Sequence, residues 1–276
     1  MLQVIISPAK QMRIEADAFA PRGIPPFPTK TRRLVNALRA IEREQGPAGL
    51  KALWRVNDNL LAENVERLQE FIPVMDELEL NDPAVARATG PAVFSYVGIQ
   101  YRSMAPDVLG LDELNWLQEH LWVLSALYGC VRPFDAVEPY RLEMATRLTV
   151  DGARDLYEFW NADIAQAIED AGHAANKPAT IVNLASVEYA KAVLPRTTPE
   201  TRIVTCIFGE DVRNGKPVQR ATASKIARGS MVRWMAEHGT ENAADLTRFD
   251  VGYAFAPELS DGDETACNRT LVFMKR

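Results

Sequence analysis

LQVIISPAK, residues 2 to 10, reads as one short buried strand handed to a loop: the apolar run Leu2 to Ile6 is stopped by Ser7 and Pro8. Lys10 is thereby delivered to the strand's carboxyl end. Four later runs have a similar character, Thr180 to Leu184, Arg202 to Phe208, Tyr253 to Phe255 and Leu271 to Phe273. Between them the apolar residues fall at helical spacing. Leu34, Leu38 and Ile41 make one stripe, Leu60, Leu61, Val65, Leu68, Phe71 and Ile72 another, and Asp155 to Ile168 and Thr222 to Glu237 read as further helices. Strands interleaved with helices predict an α/β fold, a mixed sheet surrounded by helices, in one domain over residues 1–276. Local signals add detail. The proline-rich stretch Ala18 to Pro28 reads as a loop or lid, with Thr29 capping the helix after it. Phe94 to Tyr101 looks strand-like around Gly98, Asp112 is placed to cap a helix through Leu114, Leu117 and His120, and Asn214-Gly215 marks a turn.

The chain has 276 residues, 47% hydrophobic and 25% charged, and a formal net charge of −6. Those proportions are those of an ordinary globular protein with a substantial core. The negative charge argues against nonspecific coating of nucleic acid or acidic membrane, so anion binding requires a local basic patch. No apolar run approaches membrane-spanning length, and the start is too short in its apolar part for a signal peptide, so no membrane partner and a cytoplasmic location are expected. Cys130, Cys206 and Cys267 are widely spaced, which fits free thiols in a reducing compartment. His120, His173 and His238 are far apart, and no nucleotide, hydrolase or zinc motif occurs in usable form, so neither a metal site nor a cofactor is expected.

Three stretches carry candidate chemistry. LYGCVRPFDAVEPYRLEMATRL, Leu127 to Leu148, crowds Arg132, Asp135, Glu138, Tyr140, Arg141, Glu143 and Arg147 among few core-building side chains. Pro133 and Pro139 exclude a helix interior or a central strand, so Arg132 to Tyr140 is expected as a rigid irregular loop, either a site or a surface turn stapled by its own ion pairs. Arg213 to Ala236 contains Arg213, Lys216, Arg220, Lys225, Arg228 and Arg233 without one Asp or Glu. In an acidic chain that is a local electropositive surface, and Gly229, which costs a helix about 1 kcal/mol relative to Ala, suggests a close approach by ligand or backbone. Asn183, Ser186 and Glu188 follow a strand and, with Ser7 and Lys10, are placed to line one crevice. For either serine alone, a turn or cap role is the simpler account.

SPAK at Ser7 to Lys10, LYGCVRPFDAVEPYRLEM at Leu127 to Met144, LYEFW at Leu156 to Trp160, NLASVEYAKAV at Asn183 to Val193, KIARGSM at Lys225 to Met231, and the GYAF and LVF endings together resemble the YaaA family, bacterial proteins of the peroxide stress response. The resemblance implies an α/β fold with a positively charged cleft and a helix-hairpin-helix-like element, DNA binding, and a role in limiting free-iron-driven oxidative damage. It places Lys10, Arg132, Arg141, Lys225 and Arg228 at matching motif positions, which makes them candidates for the cleft.

Two readings follow. In the first, Ser7, Lys10, Arg132, Tyr140, Arg141, Asn183, Ser186, Lys225 and Arg228 form an anion-binding cleft for duplex or distorted DNA. In the second, the same cleft belongs to an enzyme acting on a small anionic or nucleotide-like substrate. Arg141 and Arg228 would then hold the anion, with Asp135, Glu143 or Lys225 as general acid or base. The second reading requires Asp135, Glu143 and Lys225 to face one another.

Overall fold

The computed structural model describes residues 1–14, 19–173, 178–262 and 266–276. Its centre is a seven-stranded sheet whose strands are β1 (Leu2–Ile6), β2 (Leu121–Ser125), β3 (Gly129–Val131), β4 (Thr180–Asn183), β5 (Arg202–Gly209), β6 (Tyr253–Phe255) and β7 (Asn268–Lys275). In space they run β6-β7-β5-β4-β1-β2-β3. β7, β5, β4, β1 and β2 are mutually parallel, while β3 turns back antiparallel on β2 and β6 antiparallel on β7. The sheet is therefore mixed, as the interleaving predicts. β1 is buried along its whole length because it is central and covered on both faces, which is why its sequence reads as a run rather than an alternation.

The five parallel strands, numbered by their place in the chain, lie in the order second, first, third, fourth, fifth. The direction of winding reverses between β1 and β4. In open α/β sheets a crevice opens outside the strands' carboxyl ends at such a reversal, and ligands bind there.

The helices largely follow the periodicity. α1 (Pro28–Trp54) buries Leu34, Leu38, Leu50 and Trp54, and α2 (Asp58–Glu70), capped by the Asn57 side chain, packs against it. Four local expectations are corrected. α1 starts at Pro28, with Thr29 already inside its first turn, because proline's fixed φ and missing N–H suit the first helical position. Of the preceding loop, Ala18 lies outside the described residues. Phe94 to Tyr101 is not a strand: a helical turn at Ala92–Ser95 and the two-residue strand Tyr96–Val97 lead into α3 (Ile99–Met104). Its alternating aromatic residues reflect burial of two short elements rather than one pleated face. α4 (Leu111–His120) begins after Gly110, so Asp112 sits in the first turn instead of capping it. The expected helix over 155–168 is broken at Asn161, whose φ of 47° ends α5 (Leu156–Trp160) before α6 (Asp163–Gly172) begins.

The last helix, α7 (Ala221–Glu237), buries Ala227, Met231, Trp234 and Met235 and leaves Ile226 exposed. It crosses α3 at Gly229, where an added Cβ would meet the Gln100 carbonyl oxygen at 2.0 Å. The close approach made by this glycine is therefore to backbone. Before α7, Asp211–Arg213 and Lys216–Val218 form a hairpin around Asn214-Gly215, both with positive φ, the conformation that tight two-residue hairpins favour.

Candidate functional site at the carboxyl ends of the central strands

Ser7 leaves β1 at the point where the winding reverses. Its hydroxyl donates to Ser186 Oγ at 3.1 Å and accepts the Ser186 N–H at 2.8 Å, tying the end of β1 to the chain leaving β4. The Ser7 carbonyl accepts from the Tyr101 hydroxyl at 3.0 Å and from Gln100 Nε2 at 3.3 Å. Asn183, the last residue of β4, donates to Thr205 Oγ1 at 3.3 Å and accepts the Ala185 N–H at 3.0 Å. Ser7, Asn183 and Ser186 thus converge at the mouth of the sheet. Each also holds local main chain in place, so the turn and cap roles are real as well.

The second half of the long loop reaches the same edge. The Tyr140 hydroxyl lies 2.7 Å from Ser125 Oγ, at the end of β2, and 3.3 Å from the Tyr96 hydroxyl. Arg141 Nη2 donates to Glu143 Oε1 at 2.6 Å, and Lys10 Nζ is 3.0 Å from that oxygen, so one carboxylate orients two cations. Glu188 accepts the Ala145 N–H at 2.9 Å and pins the next turn. Burial holds the phenols of Tyr96, Tyr101, Tyr140 and Tyr189 above their ordinary pKa, so at neutral pH they are neutral hydroxyls that can donate or accept.

The first half of the loop goes elsewhere. β3 carries the chain back along β2, so Arg132 emerges at the amino ends of the strands. There it stacks over Trp122 at 3.7 Å and donates to the Glu119 carbonyl at 3.0 Å. Asp135 accepts the Arg132 N–H at 2.7 Å, and burial lifts its carboxyl to about 7. Glu138 accepts the Ile72 N–H at 2.9 Å, and burial lifts it to about 8. With the Phe134 N–H on Gln118 and the Val93 N–H on the Pro133 carbonyl, residues 132–138 are a buried staple between elements. The structure therefore does not bring Arg132 together with Arg141. Nor does it gather Asp135, Glu143 and Lys225: Asp135 serves the amino edge, Glu143 is held between Lys10 and Arg141, and Lys225 is exposed on α7.

Arg228 lies over the sheet beside Cys206 of β5, half-buried, and burial lowers its pKa. Its Nε–H is buried and has no acceptor among the described residues, and the same is true of Ser224 Oγ one turn earlier. Through Gly229 the helix rests on Gln100, whose amide holds the Ser7 carbonyl, so α7 is linked to the strand-end cluster by one residue. Gln100, Tyr101, Tyr96 and Ser125 were not singled out by sequence. They come from two stretches that carry no charge pattern, and only the pairing of strands shows that they meet. Among the described residues no three His, Cys, Asp or Glu side chains gather as metal ligands would, and no helix is long and apolar enough to cross a membrane.

The family profile described as "Peroxide stress protein YaaA" matches residues 2–259. Relatives named UPF0246 protein match along nearly their whole length. That of Pediococcus pentosaceus is 38% identical over 275 residues, covering 99% of this chain and 98% of its own. That of Limosilactobacillus fermentum is 40% identical over 260 residues, covering 94% and 96%. That of Desulfitobacterium hafniense is 36% identical over 275 residues, covering 99% and 98%. Matches of this extent leave no segment of the fold outside the comparison, and the chain belongs to the YaaA family of peroxide stress proteins.

Proposed function

We propose that this peroxide stress protein binds DNA through phosphate contacts made by Lys10, Arg141, Lys225 and Arg228, and helps limit free-iron-driven oxidative damage. The observation that carries the reading is Arg228. A half-buried guanidinium whose Nε–H finds no acceptor, in a 24-residue stretch without one carboxylate, is unfavourable until an anion arrives. Arg213, Arg220 and Arg233 of that stretch pair with Asp211, Glu210 and Glu237, while Lys216 and Lys225 stand exposed beside them and add positive charge for contact with phosphates.

A second reading is favoured by a different observation. Ser7, Asn183 and Ser186 sit where α/β sheets place small ligands, and phosphate docking alone does not require hydroxyls and phenols there. In that reading a small anion occupies the crevice, while Glu143 orients Arg141 and Lys10.

Fluorescence anisotropy with a labelled duplex across a salt series tests the DNA reading. Affinity is expected to fall steeply with salt, and Lys225→Gln with Arg228→Gln to flatten the log–log slope by about 2, one unit per lost contact. Undiminished affinity and slope in that double variant would refute it.

A further inference from the structure

Between β5 and α7 the chain leaves the sheet as a two-stranded ribbon, Asp211–Arg213 paired antiparallel with Lys216–Val218. All three residues of its first strand are exposed, Val212 included, and so are Asn214, Gly215 and Lys216 at its end. Its base is held firmly. Glu210 accepts from Lys275 at 2.8 Å, and Arg220 Nε stands 3.0 Å from the same carboxylate, which ties the ribbon to β7 on one side and to the start of α7 on the other. The Glu210 N–H also donates to the Val218 carbonyl at 3.0 Å. The last rung sets Arg213 directly opposite Lys216. Residues paired in this way project from one face, and like charges so placed repel. Asp211, on that same face, lies 3.4 Å from Arg213 Nε, an exposed pair of the kind that holds weakly. The terminal nitrogens of Arg213 and the Lys216 ammonium have no hydrogen-bond partner among the described residues. Two repelling cations at the end of an anchored arm are relieved by acceptors from outside the chain.

We propose that this ribbon enters the major groove of duplex DNA and that Arg213 reads guanine there, its terminal nitrogens donating to O6 and N7. The inference rests on the duplex reading above and names the element that supplies base contact. Dimensions select the groove. Three residues of strand rise about 10 Å and the major groove is about 8.5 Å deep, so the tip reaches the base edges while Glu210 stays at the rim. The two strands lie about 4.8 Å apart before side chains are added, which suits a groove about 12 Å wide and not one about 6 Å wide. Chemistry selects the base: a guanidinium fork matches the paired acceptors of guanine, whereas the single ammonium of Lys216 suits a phosphate beside the groove. An A-form RNA duplex does not fit, because its major groove is too narrow for side chains to read. The order of the chain then divides the labour. α7 follows the ribbon directly, so Lys225 and Arg228 set the register on the backbone while the ribbon's tip meets the bases.

The probe is a labelled duplex of alternating G and C, compared by fluorescence anisotropy with the same duplex carrying 7-deazaguanine, which keeps O6 and lacks the N7 acceptor. The unaltered full-length chain is expected to bind the 7-deaza duplex about fivefold more weakly, and Arg213→Gln to bind the two equally. Lys216→Gln is expected to weaken both alike and keep the ratio. Both residues are exposed on the ribbon, so neither change threatens the fold. Equal affinity of the unaltered chain for the two duplexes overturns the inference and leaves the duplex reading standing. So does a ratio preserved in Arg213→Gln or lost in Lys216→Gln. No binding of either duplex overturns both.

Discussion

Replacing Gly229 by alanine sets two effects of opposite sign against each other. Alanine is better than glycine in a helix interior by about 1 kcal/mol, and Gly229 sits mid-helix with ordinary backbone, so propensity alone makes Gly229→Ala stabilising. Packing says otherwise. The new Cβ would stand 2.0 Å from the Gln100 oxygen, 2.9 Å from its carbonyl carbon and 3.0 Å from the Met104 nitrogen, all main-chain atoms, whereas ordinary contact begins at 3.4 Å. No rotamer relieves that overlap, so α3 and α7 must separate by more than 1 Å on the order of a bond length. Overpacking of this kind costs about 1–3 kcal/mol, and parting two buried helix faces brings it to the upper end. The net expectation is a loss of about 2 kcal/mol, or a fall in Tm of about 4–8 °C. Urea unfolding followed by tryptophan fluorescence measures it. The same displacement pulls Gln100 away from the Ser7 carbonyl, so duplex affinity is expected to drop under conditions where the variant is still folded. An unchanged or raised midpoint would show that α3 and α7 do not touch as described, and the link from Arg228 to Ser7 would fall with it.

Asp135 and Glu138 make stability depend on pH. With carboxyls lifted by burial to about 7 and about 8, the folded chain holds protons that the unfolded chain releases from about pH 4 upward, so their contribution is full below that point and is lost as pH rises through the folded values. Denaturant unfolding at pH 5 to 8 is expected to show stability falling by up to about 1.4 kcal/mol per pH unit per carboxyl, and Asp135→Asn with Glu138→Gln to flatten that slope. Glu169 accepts the Thr198 N–H at 2.7 Å and the hydroxyls of Thr198 and Thr201, so Glu169→Ala leaves buried donors unmade and is expected to cost about 2–3 kcal/mol in the same assay. Cys267 is exposed, whereas Cys130 and Cys206 are buried with thiols pushed up, Cys206 to about 12. Iodoacetamide followed by mass spectrometry is expected to label Cys267 alone until the chain unfolds.

What was legible in the sequence was whatever local patterning decides. β1, β4, β5 and α7 follow from runs and periods that tertiary structure does not override, and Asn214-Gly215 marks its turn because few other residue pairs adopt positive φ at both positions. The long loop was not legible in the same way, and the reason is geometric. Its composition, acids and arginines around two prolines, describes two environments at once. Residues 132–138 bury their carboxyls against main-chain N–H groups at the amino edge of the sheet, and Tyr140 to Glu143 present a hydroxyl, a guanidinium and a carboxylate at the carboxyl edge. The boundary between them falls at Pro139, between Glu138, which holds the Ile72 N–H, and Tyr140, which reaches Ser125. Nothing in residue type separates the two halves, because a carboxylate that staples a loop and one that orients a cation are the same letter. What separates them is β3, whose antiparallel return along β2 decides which end of the sheet each residue reaches. The strand order carries the same lesson for Ser7 and Ser186. They are 179 residues apart, and each alone is an ordinary turn serine, yet the reversal between β1 and β4 brings their hydroxyls to 3.1 Å at the position where this class of sheet opens a crevice.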